Sequence, residues 1–458
     1  MPSQKLKIAV VGTGISGLSA AWLLSQRHNV DIFERGTHVG GHANTVDVMV
    51  AGRRAAVDTG FIVYNEVNYP NLVELFRFLD VPTDESEMSF SVSLRGGRLE
   101  YSSDAPSGLF GQPSNILRPR FWSMLQDVRR FYGAARIDLE AGRLAGRTLG
   151  DYLQAGGYRE PFVQDHLLPM GAAIWSTRPE DMRAYPAEAF VRFFVSHELL
   201  DLGGRQAWRT VRGGSRAYVE KLTAEFTGQI RCRNPIRHIA RTGHDVEIED
   251  MSGARHRYDH VVVATHADDA LRLLRDPSGQ ERDLLGRFPY TRNKAFLHTD
   301  KSQMPRRRSV WASWNYRTGT GAADNETGPN LPEVSYWMNR LQRLNCPENI
   351  FVTLNPASTP RTTDTLARFE YDHPLFNSDA LAAQPELWSL QGERNTWFCG
   401  SYFGYGFHED ALQSGLAVGE ALGGVSRPWR IDNKSSRIHT STKPDLNIDE
   451  PELVIAAE

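Results

Sequence analysis

The chain has 458 residues, more than one hydrophobic core usually serves, so two closely joined domains are expected. With 40% hydrophobic and 23% charged residues it reads as an ordinary globular protein. A net charge of −3 excludes a broad basic footprint for nucleic acid.

Three cysteines, Cys232, Cys346 and Cys399, are too few and too scattered for a disulfide framework or a zinc site, and no metal is expected. A reducing cytoplasmic compartment is the expectation. No run approaches the roughly 18 to 20 apolar residues of a membrane span, so any membrane contact would be peripheral. The short apolar run Ile8–Val11 gives way to glycines and does not read as a signal peptide.

In chain order, a buried strand at Lys7–Val11 leads through Gly12, Gly14 and Gly17 into a helix with Ile15, Leu18, Ala21 and Trp22 on one face. A second strand, Val30–Glu34, completes a β-α-β unit. Thr45–Val50 and Arg54–Val57 read as a hairpin, residues 70–79 as a helix, and Phe90–Leu94 with Arg98–Tyr101 as another hairpin. From about 116 to 225 the pattern is mostly helical and aromatic. Strand signals return at Ile230–Ile239, Asp245–Glu249, His260–Ala264, Lys294–His298, Ser309–Ser313, Ile350–Leu354 and Trp397–Gly400. Thr318–Asn330 reads as a surface loop. A helix is expected from about Asp410 to Leu422, then a flexible tail over 430–458. Arg306, Arg307 and Arg308 form a short basic run that reads as a solvated loop before a docking patch.

G-x-G-x-x-G between a strand and a helix is the context that dinucleotide binding needs. Gly12 permits the turn, Gly14 lets the backbone approach a pyrophosphate, and Gly17 packs helix on strand. The N–H groups of Ile15 and Ser16 would face the phosphates. Glu34 stands at the offset where a carboxylate accepts from a ribose.

The segment Glu34-Arg35-Gly36 with Gly40-Gly41-His42-Ala43-Asn44-Thr45 resembles the flavin amine oxidase superfamily, with His42 where that family usually carries arginine. Asp58-Thr59-Gly60-Phe61, the strand around Ile236, the run ending Ala264-Thr265 and the C-terminal Gly400-Ser401 with Asp410-Ala411-Leu412 resemble further segments of the same family. Trp311–Tyr316, Tyr336–Gln342, Val352–Pro356 and His373-Pro374 resemble a bacterial group of NAD/FAD-binding proteins allied to amine oxidases and associated with fatty-acyl desaturases. The resemblance covers about residues 5 to 425.

It implies an α/β chain, with a Rossmann-like FAD-binding domain over 1–68, 213–285 and 390–425. An interleaved α+β substrate domain would take 69–212 and 286–389. It also implies non-covalent FAD, because Cys399 falls inside a strand. A catalytic role is implied for Lys294, as the lysine that holds water beside the flavin; a surface strand lysine is the other reading. His408 would bond substrate or flavin, and Tyr402, Phe403, Tyr405, Phe407 and Trp314 would line the pocket. The expected activity is hydride removal from a substrate carbon, on a fatty-acyl or other lipid chain. An amine oxidase releasing hydrogen peroxide and a non-catalytic flavoprotein partner of a lipid-modifying enzyme are the alternatives. Composition does not address the oligomeric state.

Overall fold

The computed structural model describes residues 5–103, 105–201, 207–319 and 331–440. A five-stranded parallel sheet runs in the order 229–231, 29–33, 7–11, 260–263, 396–398. Val11 lies opposite both Phe33 and Val263, so three strands end level with one another. Their carboxyl ends form the crevice where open α/β sheets bind ligands.

The helix Ile15–Ser25 is buried from Ile15 to Leu24, not on one face alone. Its second face is covered by the last described helix, His408–Gly423. Glycine allows that approach: a Cβ at Gly415 would lie 2.1 Å from the Ser16 carbonyl oxygen. Two helix N-termini therefore stand side by side at the crevice.

A seven-stranded sheet forms the second layer, in the order 365–374, 290–298, 351–354, 333–337, 314–317, 90–94, 99–102. It is antiparallel except where Trp314–Arg317 meets Phe90–Leu94. Helices of residues 119–196 pack beside it around Phe121, Phe131, Phe162, Phe190 and Phe194, all at most 2% exposed. The aromatic residues expected between 116 and 225 are thus mostly core.

Several elements differ from the sequence reading. The single strand expected at Ile230–Ile239 is two, Gln229–Arg231 in the parallel sheet and Ile236–Arg241 in a three-stranded antiparallel excursion. The strand expected at Ser309–Ser313 is a 3-10 turn, Arg308–Val310, and the strand follows it at Trp314–Arg317. Thr365–Pro374, ten residues with charged side chains on one face, was not foreseen. Most of the expected surface loop, 320–330, lies outside the described residues.

The expected tail is not free over 430–440. Trp429 stacks on Trp22 at 6.1 Å, Ile438 is 7% exposed, and Arg437 pairs with Asp410. Ion pairs and single aromatic contacts anchor this strap, so no apolar period marks it. Residues 441–458 lie outside the described residues. Among the described residues no helix is long and apolar enough to cross a membrane.

Candidate cofactor and substrate site

The glycine loop follows the strand Lys7–Val11 directly. Gly12 has φ +107°, and a Cβ there would lie 2.6 Å from the Ala264 carbonyl oxygen. A Cβ at Gly17 would lie 2.1 Å from the Gly12 carbonyl oxygen. Gly14 differs, because a Cβ there meets nothing within 4 Å. The loop is closed by Gly41, whose Cβ position lies 3.0 Å from Gly14 Cα. Leu18 N–H donates to Gly14, so the N–H groups of Ile15, Ser16 and Gly17 precede the first helical bond. That combination fits a pyrophosphate.

Glu34 is organised by the same loop. Its carboxylate accepts from Thr13 N–H (3.0 Å), Thr13 Oγ1 (2.5 Å) and Gly36 N–H (2.6 Å). Arg233 N–H and Asn234 N–H donate to the carbonyls of Gly36 and Glu34, which brings the segment entering Ile236 beside Glu34. The Arg35 side chain turns outward instead, 69% exposed and 3.6 Å from Asp269, so only its backbone belongs to the cradle.

Further along, the hairpin crosses over the crevice. Phe61 N–H donates to the His42 carbonyl at 2.7 Å, and a Cβ at Gly60 would lie 2.2 Å from that oxygen. The His42 ring lies among Tyr371 (5.1 Å), His373 (5.8 Å) and His266 (6.3 Å). Burial, then repulsion from His373, His266 and His408, holds its pKa well below the ordinary value. His42 is therefore neutral, and does not supply the charge of the arginine it replaces.

Ala264 N–H donates to Val11, and Thr265 Oγ1 to the His266 carbonyl, shaping the wall opposite Gly12. Gly400 N–H donates to Ser414 Oγ at 3.0 Å. The Ser401 carbonyl accepts from the N–H groups of Gly404 and Gly406 and folds the Gly-rich turn back on itself.

The last helix begins at His408, two residues before the expected start. Ala411 N–H already bonds the Phe407 carbonyl, and Leu412 is fully buried. The helix N–H groups that precede the Ala411 bond are those of His408, Glu409 and Asp410. Asp410 is also occupied. Its carboxylate accepts from Phe407 N–H (2.7 Å) and Arg437 Nε (2.6 Å), so it shapes the turn and is not left for a cofactor.

His408 stacks on Phe61 at 3.9 Å and 10°, with Nε2 2.7 Å from the Tyr218 hydroxyl. Burial pushes its imidazole down to about 3. Tyr218 and Nε2 share one hydrogen bond, whose donor is set by the imidazole tautomer.

The expected pocket residues divide. Tyr402 and Phe403 are each 1% exposed, and Tyr402 packs on Phe288 at 5.4 Å, so both are core. Tyr405 and Phe407 are half-buried. Phe407 stacks on Phe193 at 5.1 Å, and Phe193 meets Trp175 at 4.8 Å. The Arg437 guanidinium lies 5.4 Å from the Tyr405 ring and 5.9 Å from those of Tyr69 and Phe407. Trp314 stands edge-on to Tyr336 at 4.8 Å; its indole N–H and that of Trp175 have no protein acceptor.

Lys294 lies on the strand face opposite that of Asn293 and Tyr371. It pairs with Glu370 beside Arg292, which is 68% exposed. Asn293 pairs with Tyr371, whose hydroxyl is 2.9 Å from Asn44 Nδ2 and 2.8 Å from Thr59 Oγ1 at the hairpin. Side chains alternate along a strand, so a one-residue difference moves the lysine to the outer face. Cys399 is fully buried with its thiol pushed up to about 12 by burial, so it is not the thiolate that a thioether link to a flavin needs.

Tyr218, Tyr371, His266 and Arg437 escaped the sequence reading, since none lies in a motif. Asp58 was expected only as part of a turn. It accepts from Thr45 Oγ1, Ser215 N–H and Gln342 Nε2, and so ties the hairpin to the start of the helix Arg216–Ala224 and to the segment around Gln342.

The unfilled space before Gly14, the two helix N-termini and the carboxylate of Glu34 fit FAD. The fold is similar to that of a fatty acid isomerase from P. acnes (16% identity, TM-score 0.61, 90% of this chain and 97% of that chain). It is also similar to putrescine oxidase (13%, 0.61, 92% and 99%) and cyclohexylamine oxidase from Brevibacterium oxydans IH-35A (15%, 0.61, 92% and 100%). No curated protein matches the sequence. The family model for flavin containing amine oxidoreductase matches residues 15–349. That match begins one residue past Gly14 and spans the hairpin and most of the chain, so the chain belongs to the flavin-containing amine oxidoreductase family and is an FAD-dependent oxidoreductase.

Proposed function

We propose that the substrate is an apolar chain, a fatty-acyl or comparable lipid chain, from one carbon of which hydride is removed. FAD supplies the two-electron acceptor when bound. Fold alone does not choose, since the similar structures include a fatty acid isomerase and oxidases of amines. The observation that carries the reading is the position of Arg437. An ammonium substrate is held by aromatic faces or a carboxylate. Here Tyr69, Tyr405 and Phe407 already face the Arg437 guanidinium, and the nearby carboxylate of Asp410 is its ion-pair partner.

Phe407, which precedes His408, stacks on Phe193 and sets an aromatic face beside the histidine. Trp175, Phe193 and Phe407 form a wall that orients an apolar chain and excludes water. Phe61 and Tyr218 fix the His408 ring, and burial disfavours a charge on it.

The test is anaerobic titration of the holoprotein, followed by flavin absorbance, with fatty acids and phospholipids and then with amines. Bleaching of the flavin by acyl compounds alone is expected. Bleaching by amines alone would overturn the reading, and bleaching by neither would favour a non-catalytic flavoprotein.

A further inference from the structure

Eight large hydrophobic side chains stand exposed among the described residues, and three of them lie within seven positions: Ile116 (51%), Leu117 (85%) and Trp122 (44%). Single exposed apolar residues are ordinary, but a cluster marks a contact surface. Leu117 ends the 3-10 turn Pro113–Leu117, and Trp122 sits in the first turns of the helix Pro119–Glu140. The Trp122 indole N–H donates to the Ile116 carbonyl at 2.8 Å, and Phe110 packs against the ring at 5.9 Å. Asn115 Nδ2 donates to the Glu100 carbonyl at 2.9 Å, which holds the turn on the strand below. The three side chains form a preformed ridge.

Guanidinium groups surround it. Arg118 donates to the carbonyl of Arg98, itself exposed. A Cβ at Gly97 would lie 2.7 Å from Arg306 Cδ, so Arg306 lies across the same hairpin. Ser309 Oγ donates to the Gly111 carbonyl at 2.8 Å and ties the basic run to the ridge. Arg95 and Arg120 share one carboxylate, the buried Asp165, and Arg307 takes the buried Glu100. Arg98, Arg118, Arg306 and Arg308 have no ion-pair partner among the described residues, on a chain whose net charge is −3.

We propose that this face docks on an anionic lipid surface. Unpaired guanidiniums meet the headgroups, while Leu117, Ile116 and Trp122 enter the interfacial layer. A second copy of the chain would set the same positive patch against itself. An acidic soluble partner would use the arginines and leave Leu117 idle. The proposal does not depend on which substrate the flavin site oxidises.

The experiment is flotation of the full-length holoprotein with vesicles of phosphatidylglycerol and phosphatidylcholine, against phosphatidylcholine alone. Binding to the anionic vesicles only, weakened by salt, is expected. Arg98→Glu with Arg306→Glu should lower the partition at least about ten-fold. Leu117→Ser with Trp122→Ser should lower it by a similar factor of about ten. Met251→Ser, a control at another exposed residue, should change nothing. All variants should keep their bound flavin, since none touches the cradle. No binding to anionic vesicles would overturn the proposal. So would full binding by the Leu117→Ser, Trp122→Ser variant, which would show that the apolar ridge takes no part in the contact.

Discussion

The Tyr218 hydroxyl lies 2.7 Å from His408 Nε2, at the point where the last helix opens towards the crevice. Tyr218 comes from the helix Arg216–Ala224 and is fully buried, so the contact fixes the histidine from behind while Phe61 covers its face. Tyr218→Phe should retain FAD but leave His408 Nε2 unsatisfied, at a cost of about 1–3 kcal/mol in stability. Thermal melting of the holoprotein checks this, with the flavin absorbance envelope as the local readout. An unchanged melting temperature and spectrum would remove the positioning role.

Two glycines of one motif should fail differently. Gly14→Ala puts a methyl into the open space that fits the pyrophosphate, where it touches no protein atom within 4 Å. FAD affinity should fall at least about ten-fold, with the apoprotein melting as before. Gly17→Ala drives a Cβ to 2.1 Å from the Gly12 carbonyl oxygen, so the apoprotein itself should melt lower. FAD titration paired with apoprotein melting separates the two; equal behaviour would refute the assignment.

Arg437 and Asp410 form a buried pair, with Arg437 side-chain exposure of 11% and Asp410 of 0%. Arg437→Met should destabilise the protein by about 3–5 kcal/mol, because it strands a buried carboxylate. Adding Asp410→Asn should recover part of that loss. A double-mutant cycle from denaturant melts measures the coupling. Additive effects would mean that the strap does not brace the turn.

Lys294→Ala should leave flavin reoxidation by dioxygen unchanged, since the residue shares the outer sheet face with Glu370 and Arg292. Asn293→Ala, on the face of Tyr371, should disturb the site. Stopped-flow reoxidation decides, and a slowed Lys294→Ala enzyme would contradict the register.

His166 is held to about 4 by burial, its ring nitrogens bonding Tyr101 and Tyr132. The folded pKa lies below the unfolded one, so the unfolded chain binds more protons as the pH falls below about 6.5. The stability this group contributes is full above that pH and declines below it, by about 2 kcal/mol at pH 5. Wild type should therefore lose its advantage over His166→Gln across that window. A pH-independent difference between their denaturant melts would contradict a buried neutral ring.

The β-α-β unit, the glycine loop, Glu34 and the first hairpin were legible in the sequence because each depends on neighbours in the chain. Periodicity of apolar residues marks a strand or helix, and a turn that needs glycine shows glycine. FAD binding followed from those local features in the right order. Substrate-side geometry was not legible in this way. Tyr402 and Phe403 resembled Tyr405 and Phe407 as aromatic residues beside a glycine, and only packing on Phe288 separates core from pocket. The outward face of Lys294 depends on a register set by Thr365–Pro374, a strand whose alternating charged residues gave no apolar signal. The family, the cofactor and the site of the phosphates were decided by sequence, since backbone conformation near the motif is local. Which side chains meet around His408, and that Arg437 faces the rings of Tyr69, Tyr405 and Phe407, was decided by tertiary structure alone, because those contacts join segments with no shared local pattern.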